Sequence, residues 1–387
     1  MRDHWSSFLR LISSLQLTVV LLALSIVLIF VATLDQVNLG IWAVQEKYFR
    51  SFFVIWMIPG TQVPLPLFPG GYLVGGLLLV NMVATHADRL CFTWRKAGLI
   101  LAHAGIVMLL VGELITGILQ EDYQMQLTQG ETRNYSESQR TNELVVIDTS
   151  NPEWDDVVAI PESFLSQGRV IQHPRLPFRV LVKDYYPNSL LQTKRDAPNA
   201  PASPATSGLG TQMHATPLPL TTRQDERNMP ASFVEIAGPD ASAGTFLVSP
   251  QIEMAQPFAY AGHTYTISMR FTRRYLPFSL TLMELRHDIY PGSDIPRNFS
   301  SRVKLRSQDG KEDRDVLIYM NNPLRHGGLT FYQYQMNEAD RYSVLQAVSN
   351  PGWFFPYVSC VMLGLGLTVH FGVSLAHFFG QRGKRTP

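Results

Sequence analysis

The sequence predicts an α-helical polytopic membrane protein with four transmembrane helices and a large β-rich extracytoplasmic domain between spans three and four. Three features carry that expectation. Long apolar runs flank one polar block, residues 120–351. Lysine and arginine gather in three short segments that share a side if the runs are spans. Within the polar block, β-branched and aromatic runs alternate with turn residues.

The first run, residues 11–34, carries no charge. Crossing a bilayer core takes about 20 apolar residues at about 1.5 Å each. A backbone in lipid must satisfy its own hydrogen bonds, so such a run is helical. It is too long for the apolar region of a signal peptide, and Ala32, Thr33 and Leu34 make a poor cleavage site, so it reads as a retained anchor. The external loop 35–69 is aromatic over 48–56 and then proline-rich. Its first piece is either an interfacial helix or a loop packed on the spans. Span two, about 70–87, is short in its uncharged part and recruits His86 and Ala87 to reach the interface. Span three, 97–119, is broken only by Glu113. That carboxylate is a proton or cation site, a partner for the external domain, or a boundary residue after a helix ending at Gly112. Spans one to three form a membrane domain, 1–119. Residues 352–387 supply the fourth span and a basic tail.

Orientation follows from the basic residues of short segments. Arg2 and Arg10, then Arg89, Arg95 and Lys96, then Arg382, Lys384 and Arg385 fall on one side, which should be cytoplasmic. The N- and C-termini are then cytoplasmic and the β-rich domain is outside. The whole-chain net charge of +1 implies nothing about acidic partners. No basic stripe with interleaved aromatics appears, which excludes nucleic-acid binding. Two cysteines are present, Cys91 and Cys360, at opposite depths, so they cannot pair within one chain. The external block has none and must rely on its core in an oxidising compartment. Absence of a CxxC pair argues against a thiol oxidoreductase.

Strands are expected at 144–147, 178–182, 264–269, 278–283, 316–320, 329–334 and 343–348. Turn chemistry separates them at Pro291 and Gly292, Asp309 and Gly310, Asn322 and Pro323, and Gly327 and Gly328. Residues 188–230 include an Ala/Pro-rich stretch that lacks apolar surface to bury, and read as a flexible surface insertion or a docking segment. No phosphate loop, nucleophile elbow or triad is visible, so no catalytic residue is assigned.

The histidines point elsewhere. His86 ends span two and His103 lies about 9 Å into span three from Ala97 at 1.5 Å per residue. His370 and His377 come late in span four. All four occupy the cytoplasmic depth zone, with no information on azimuth. An imidazole in a bilayer is costly and is either a functional group or bonded to a backbone carbonyl. Facing helices can present imidazoles to haem iron. His103 is the first candidate for an axial ligand, followed by His86 and His370, whereas His377 reads as interfacial. Ala102, Ala104 and Gly105 beside His103 leave room for a flat macrocycle or for another helix. His173, His214, His263, His287 and His326 show no metal-ligand spacing and read as structural.

Four segments carry a family resemblance. They are 289–296 (Ile-Tyr-Pro-Gly-Ser-Asp-Ile-Pro), 318–333 (Ile-Tyr-Met-Asn-Asn-Pro-Leu-Arg-His-Gly-Gly-Leu-Thr-Phe-Tyr-Gln), 343–352 (Ser-Val-Leu-Gln-Ala-Val-Ser-Asn-Pro-Gly) and 101–105 (Leu-Ala-His-Ala-Gly). Together they resemble the ResB (CcsB) family of system II cytochrome c biogenesis proteins. The resemblance implies a bacterial inner (plasma) membrane protein that works with a ResC (CcsA)-type partner. The pair would carry haem across the membrane and support its covalent attachment to apocytochrome c. It also implies that His103 is an axial ligand of a transient b-type haem shared with that partner. The chain would then be a non-catalytic or co-catalytic subunit of a haem lyase (synthase) complex. Two other functions fit the residues: a membrane b-type electron-transfer cytochrome subunit, and a membrane-anchored external binding or sensor protein.

Overall fold

The computed structural model describes residues 10–57, 63–89, 93–198, 201–221, 227–239, 242–292, 296–337 and 341–382. The chain divides into two compact units. One holds Met1–Glu121 with Ser349–Pro387; the other holds Asp122–Thr221 with Asp225–Val348.

The first unit is helical: α1 (Leu15–Val44), α2 (Gly71–Arg89), α3 (Ala97–Leu119) and α4 (Phe355–Arg382). Three segments are long and apolar enough to cross a membrane, Leu15–Phe49, Ala97–Leu119 and Phe355–Gly380. The fourth expected span is also a helix, but its apolar part, Gly71–His86, is shorter. The molecule is thus a membrane protein with a β-rich domain. Cys91 and the basic residues at 2 and 384–385 lie outside the described residues.

The expected first span, 11–34, is displaced and lengthened. Ser14 caps the helix, its Oγ accepting from Leu17 N–H at 3.2 Å. The helix then runs through Asp35, expected to open the loop, and on to Val44 with a break at Gly40, φ 78°. Asp35 does not end it because Lys47 Nζ (2.7 Å) and Tyr48 Oη (2.8 Å) both donate to its Oδ2. A π-type turn, Gln45–Phe49, follows. The interfacial helix considered for 48–56 is replaced by a hairpin of β1 (Phe53–Met57) and β2 (Pro64–Pro69). Val54 and Tyr48 pack on Leu28, Ala32 and Val44, so this stretch is a loop packed on its span.

Two devices join the helices. Asn81 of α2, 1% exposed, donates to the carbonyls of Ile12 (2.5 Å) and Ser14 (3.1 Å) and accepts from Thr18 Oγ1 (2.6 Å). It clamps the start of α1, where an apolar medium makes unpaired carbonyls expensive. Helices α3 and α4 meet through small residues. Gly98, Ala102, Gly105 and Gly112 are the buried positions of α3. A Cβ on Gly98 would lie 2.4 Å from His370 N, and one on Gly366 would lie 2.5 Å from Ala102 N. Backbone thus touches backbone.

The second unit is built of strands. In chain order they are β3 (Glu121–Thr128), β4 (Thr132–Asp148), β5 (Asp156–Pro161), β6 (Val170–Ile171), β7 (Arg179–Tyr186), β8 (Ser189–Thr193), β9 (Met213–Pro217) and β10 (Ala231–Ala237). Then come β11 (Ser242–Val248), β12 (Gln256–Tyr260), β13 (His263–Ile289), β14 (Pro296–Ser307), β15 (Asp313–Tyr319), β16 (Leu324–His326), β17 (Leu329–Asn337) and β18 (Tyr342–Ser349). One sheet has the order β15-β14-β13-β4-β3-β18-β17-β16, with β12 added to β13 and β5 to β4. Its long members serve two cores. Tyr265, Ile267 and Met269 of β13 join Leu144 and Val146 of β4 against Val180, Val182, Val234 and Phe246 of a second sheet, β11-β10-β7-β6. Further along β13, Leu276, Phe278, Leu280 and Leu282 meet Val303, Ile318, Phe331 and Leu345 in another core. Between them, Arg270 pairs with Glu143 at 2.8 Å and Arg273 with Glu137 at 2.9 Å. These neutralise the polar stretch where the register shifts.

The segment 188–230, expected to be a flexible insertion, is folded where described. β8 and β9 form a hairpin, and Ala205, Ala215, Leu191 and Met213 pack with Phe233 and Leu247. Gln256 Oε1 accepts from Leu209 N–H at 2.9 Å while its Nε2 donates to Leu247 O at 2.7 Å. A few small side chains and one buried amide do what apolar bulk does elsewhere.

Candidate functional site

Helix α2 presents His86 near its C-terminal end, and α3 presents His103 two turns after its start. Their rings meet edge to face, with centroids 4.8 Å apart and planes at 72°. Each Nδ1 lies against the carbonyl four residues earlier on its own helix: His86 on Met82 O at 2.7 Å, His103 on Leu99 O at 3.0 Å. A carbonyl only accepts, so both Nδ1 atoms carry the proton. In neutral rings, Nε2 then holds a lone pair, the form that binds metal. His86 Nε2 is buried without a hydrogen-bond partner among the described residues.

His370 is not part of this ring pair. Its backbone lies against Gly98, and its ring neighbours Phe371 at 5.6 Å. His377 is exposed on α4. Glu113 is also exposed, about 15 Å along α3 from His103 at 1.5 Å per residue. Helix α3 continues to Leu119, so the expected alternative of a helix ending at Gly112 is overturned. The small residues beside His103 divide: Ala102 and Gly105 face α4, so another helix fills that space. Asn81, absent from the sequence-based candidates, was visible as a lone amide in an apolar run.

The pair fits one role toward haem better than another. An imidazole nitrogen sits about 2 Å from its metal, so two rings on opposite faces of one iron have centroids about 6 Å apart. At 4.8 Å, His86 and His103 are too close to flank one macrocycle. One imidazole with a free Nε2 and a fixed Nδ1–H fits a single axial ligand, since the hydrogen bond at the second nitrogen fixes tautomer and orientation. Outside the helices, His263 pairs with Asp148 (3.1 Å), His326 with Glu312 (3.2 Å), and His287 stacks on Phe299 (4.5 Å). No group of three or more His, Cys, Asp or Glu able to hold a metal occurs among the described residues.

Apolar helices bearing imidazoles, with a two-core β domain between α3 and α4 in the chain, define a membrane-anchored β-domain protein. The ResB-like family matches residues 252–340, the stretch from just before β12 to just after β17. The chain is also 35% identical over 92 residues to Protein NrfI of Wolinella succinogenes, covering 24% of this chain and 10% of that protein. The matched segment therefore spans about a tenth of the relative's length. Over residues 252–340 the chain is thus similar to the ResB-like family.

Proposed function

We propose that this chain serves cytochrome c biogenesis as a haem-handling subunit, working with a ResC (CcsA)-type membrane partner to deliver haem to apocytochrome c. The family match over the β domain carries the reading, and the His86–His103 pair supports its haem-binding part. Helices α1 to α4 all cross the bacterial inner membrane in this reading, with the basic segments cytoplasmic and the β domain outside.

In this reading His103 would hold the haem iron through Nε2. Leu99 O fixes the ring by accepting from Nδ1–H, and the edge of His86 restricts its rotation. A second ligand would come from the partner, because the intrachain rings are too close to supply both. When bound, haem supplies the vinyl carbons to which cytochrome thiols add. This chain contributes binding and orientation, with no nucleophile or acid–base pair of its own assigned to that step.

The test is His103→Gly, assayed by haem copurification and covalent cytochrome c. Both should fall, and added imidazole should partly restore both, since a free ring can occupy the vacated position. His86→Ala and His370→Ala should have smaller effects. If His103→Ala copurifies with normal haem and matures cytochromes at wild-type levels, the ligand assignment fails. If deleting the whole chain leaves covalent cytochromes intact, the biogenesis reading fails with it.

A further inference from the structure

Strand β14 outruns one of its neighbours. It pairs with β13 along its length, from Ser307 back to Pro296. β15 accompanies it only from Arg306 to Ser300, where Ser300 faces Tyr319. β15 stops because residues 319–322 form a tight turn. Asn322 N–H donates to Tyr319 O at 3.0 Å, Tyr319 N–H donates to Asn322 O at 3.4 Å, and Asn321 sits at φ 63°. Asparagine tolerates that left-handed conformation, and Pro323, having no N–H, cannot extend a ladder. The chain then leaves as β16. On the side β15 vacates, Arg297, Asn298 and Phe299 of β14 have no partner strand among the described residues.

A cleft of about 790 Å³ occupies that position. Arg297 and Asp288 on its walls balance in charge, so it offers little to a phosphate or another anion. The amides of Asn298 and Asn321 offer both donors and acceptors. Ile289, Tyr319 and Met320, at 50%, 39% and 50% exposed, add apolar contact. A bare strand edge presents N–H and C=O groups at the spacing of an extended backbone, and the matching ligand is another extended backbone. Neutral charge, paired amides and exposed apolar side chains suit a polypeptide better than a sugar, nucleotide or lipid headgroup.

We propose that this cleft takes an extended, unfolded segment of another polypeptide, added to β14 as a strand. The turn at 319–323 keeps the position open by ending β15 early. These residues lie in one of the segments that carry the family resemblance, 318–333, and the haem-binding reading leaves them without a role. The choice of peptide rests on the cytochrome-assembly reading, in which an unfolded apocytochrome is present on this side of the membrane.

The probe is a short fluorescein-labelled peptide containing a CxxCH haem-attachment site, titrated by anisotropy into the full-length protein in detergent. A second peptide has the same sequence but is N-methylated at alternate residues, which removes the donors of one edge and leaves every side chain. Saturable binding of the first peptide, weakened about tenfold or more by methylation, is expected for strand addition. A photo-crosslinking residue at Met320 should capture the peptide, and one at exposed Trp154 should not. Tyr319→Ala with Met320→Ala should weaken binding while leaving the melting temperature unchanged. Equal affinity for both peptides, no binding of the unmethylated one, or equal capture at Met320 and Trp154 overturns the proposal. Methylation-sensitive binding combined with normal cytochromes in a deletion strain would refute the assembly reading and leave the cleft assignment standing. The opposite pair of results would do the reverse.

Discussion

Two glycines of α4, two residues apart, should respond oppositely to the same substitution. A Cβ on Gly366 would lie 2.5 Å from Ala102 N and 2.8 Å from Gly98 O, all backbone that cannot rotate away. Ordinary contact begins at 3.4 Å, so α3 and α4 must separate by about 0.9 Å. A gap of that size forfeits about a quarter to a half of each affected dispersion contact along the seam. Overpacking of this kind costs about 1–3 kcal/mol. Gly364 has nothing within 4 Å of the same added atom. Alanine there gains helix propensity, up to about 1 kcal/mol in water. Gly366→Ala should therefore unfold at lower SDS fraction than wild type, and Gly364→Ala at equal or higher fraction. The stability gap between the two variants should be about 2 kcal/mol. Helical circular dichroism during SDS titration of the protein in mixed micelles measures it. Equal midpoints for the two variants would refute the backbone-to-backbone seam.

Other outcomes follow from single contacts. Asn81→Leu keeps the volume but strands the carbonyl of Ile12 and leaves that of Ser14 with Thr18 as its donor, and should cost about 1–3 kcal/mol; hydrogen exchange at Leu17 and Thr18 should accelerate, and unchanged protection there would sink the clamp. Removing residues 198–210 deletes Ala205 from a core and the Leu209–Gln256 bond, so the β domain should lose about 3 kcal/mol, or roughly 10 °C in Tm; an unchanged melt would mean that the segment is dispensable. Burial, reinforced by its hydrogen bond to Glu162, pushes the Tyr185 phenol far above its ordinary value. Because the folded pKa is raised, the stability that Tyr185 contributes is complete below about pH 10 and is lost as pH climbs beyond it. Phenolate absorbance present in wild type but missing in Tyr185→Phe should emerge only with unfolding, and its appearance near pH 10 in the folded protein would contradict the buried geometry.

Much of the β domain was legible because period-2 burial leaves a clear trace. Each expected run falls in a strand, Leu144–Ile147 within β4 for example, except that Phe178 and Met320 lie one residue outside β7 and β15. The misreadings came where charge entered an element. The runs 264–269 and 278–283 were separate strands on paper because Arg270, Arg273 and Arg274 lie between them. In the fold they are one strand, β13, since Glu143 and Glu137 across the ladder neutralise two of those arginines. Asp35 misled in the same way: a charge that ends an apolar run in sequence need not end a helix once Lys47 and Tyr48 satisfy it. Long-range partners decide both cases, and pattern within a window cannot contain them.

The helical site was legible only in part. Sequence placed His86, His103 and His370 in one zone, but only the first two share a ring contact. One ambiguity was open to resolution by helical geometry. Gly98, Ala102, Gly105 and Gly112 recur at intervals of four, three and seven, which keeps them on one stripe of α3. His103 is five residues from Gly98, a turn of about 140° from that stripe at 100° per residue. The small residues and the imidazole thus serve different neighbours: the stripe admits the backbone of α4, and His103 faces α2, where it meets His86. Ala102 and Gly105 therefore leave no room for a macrocycle next to His103, because α4 fills the space beside them.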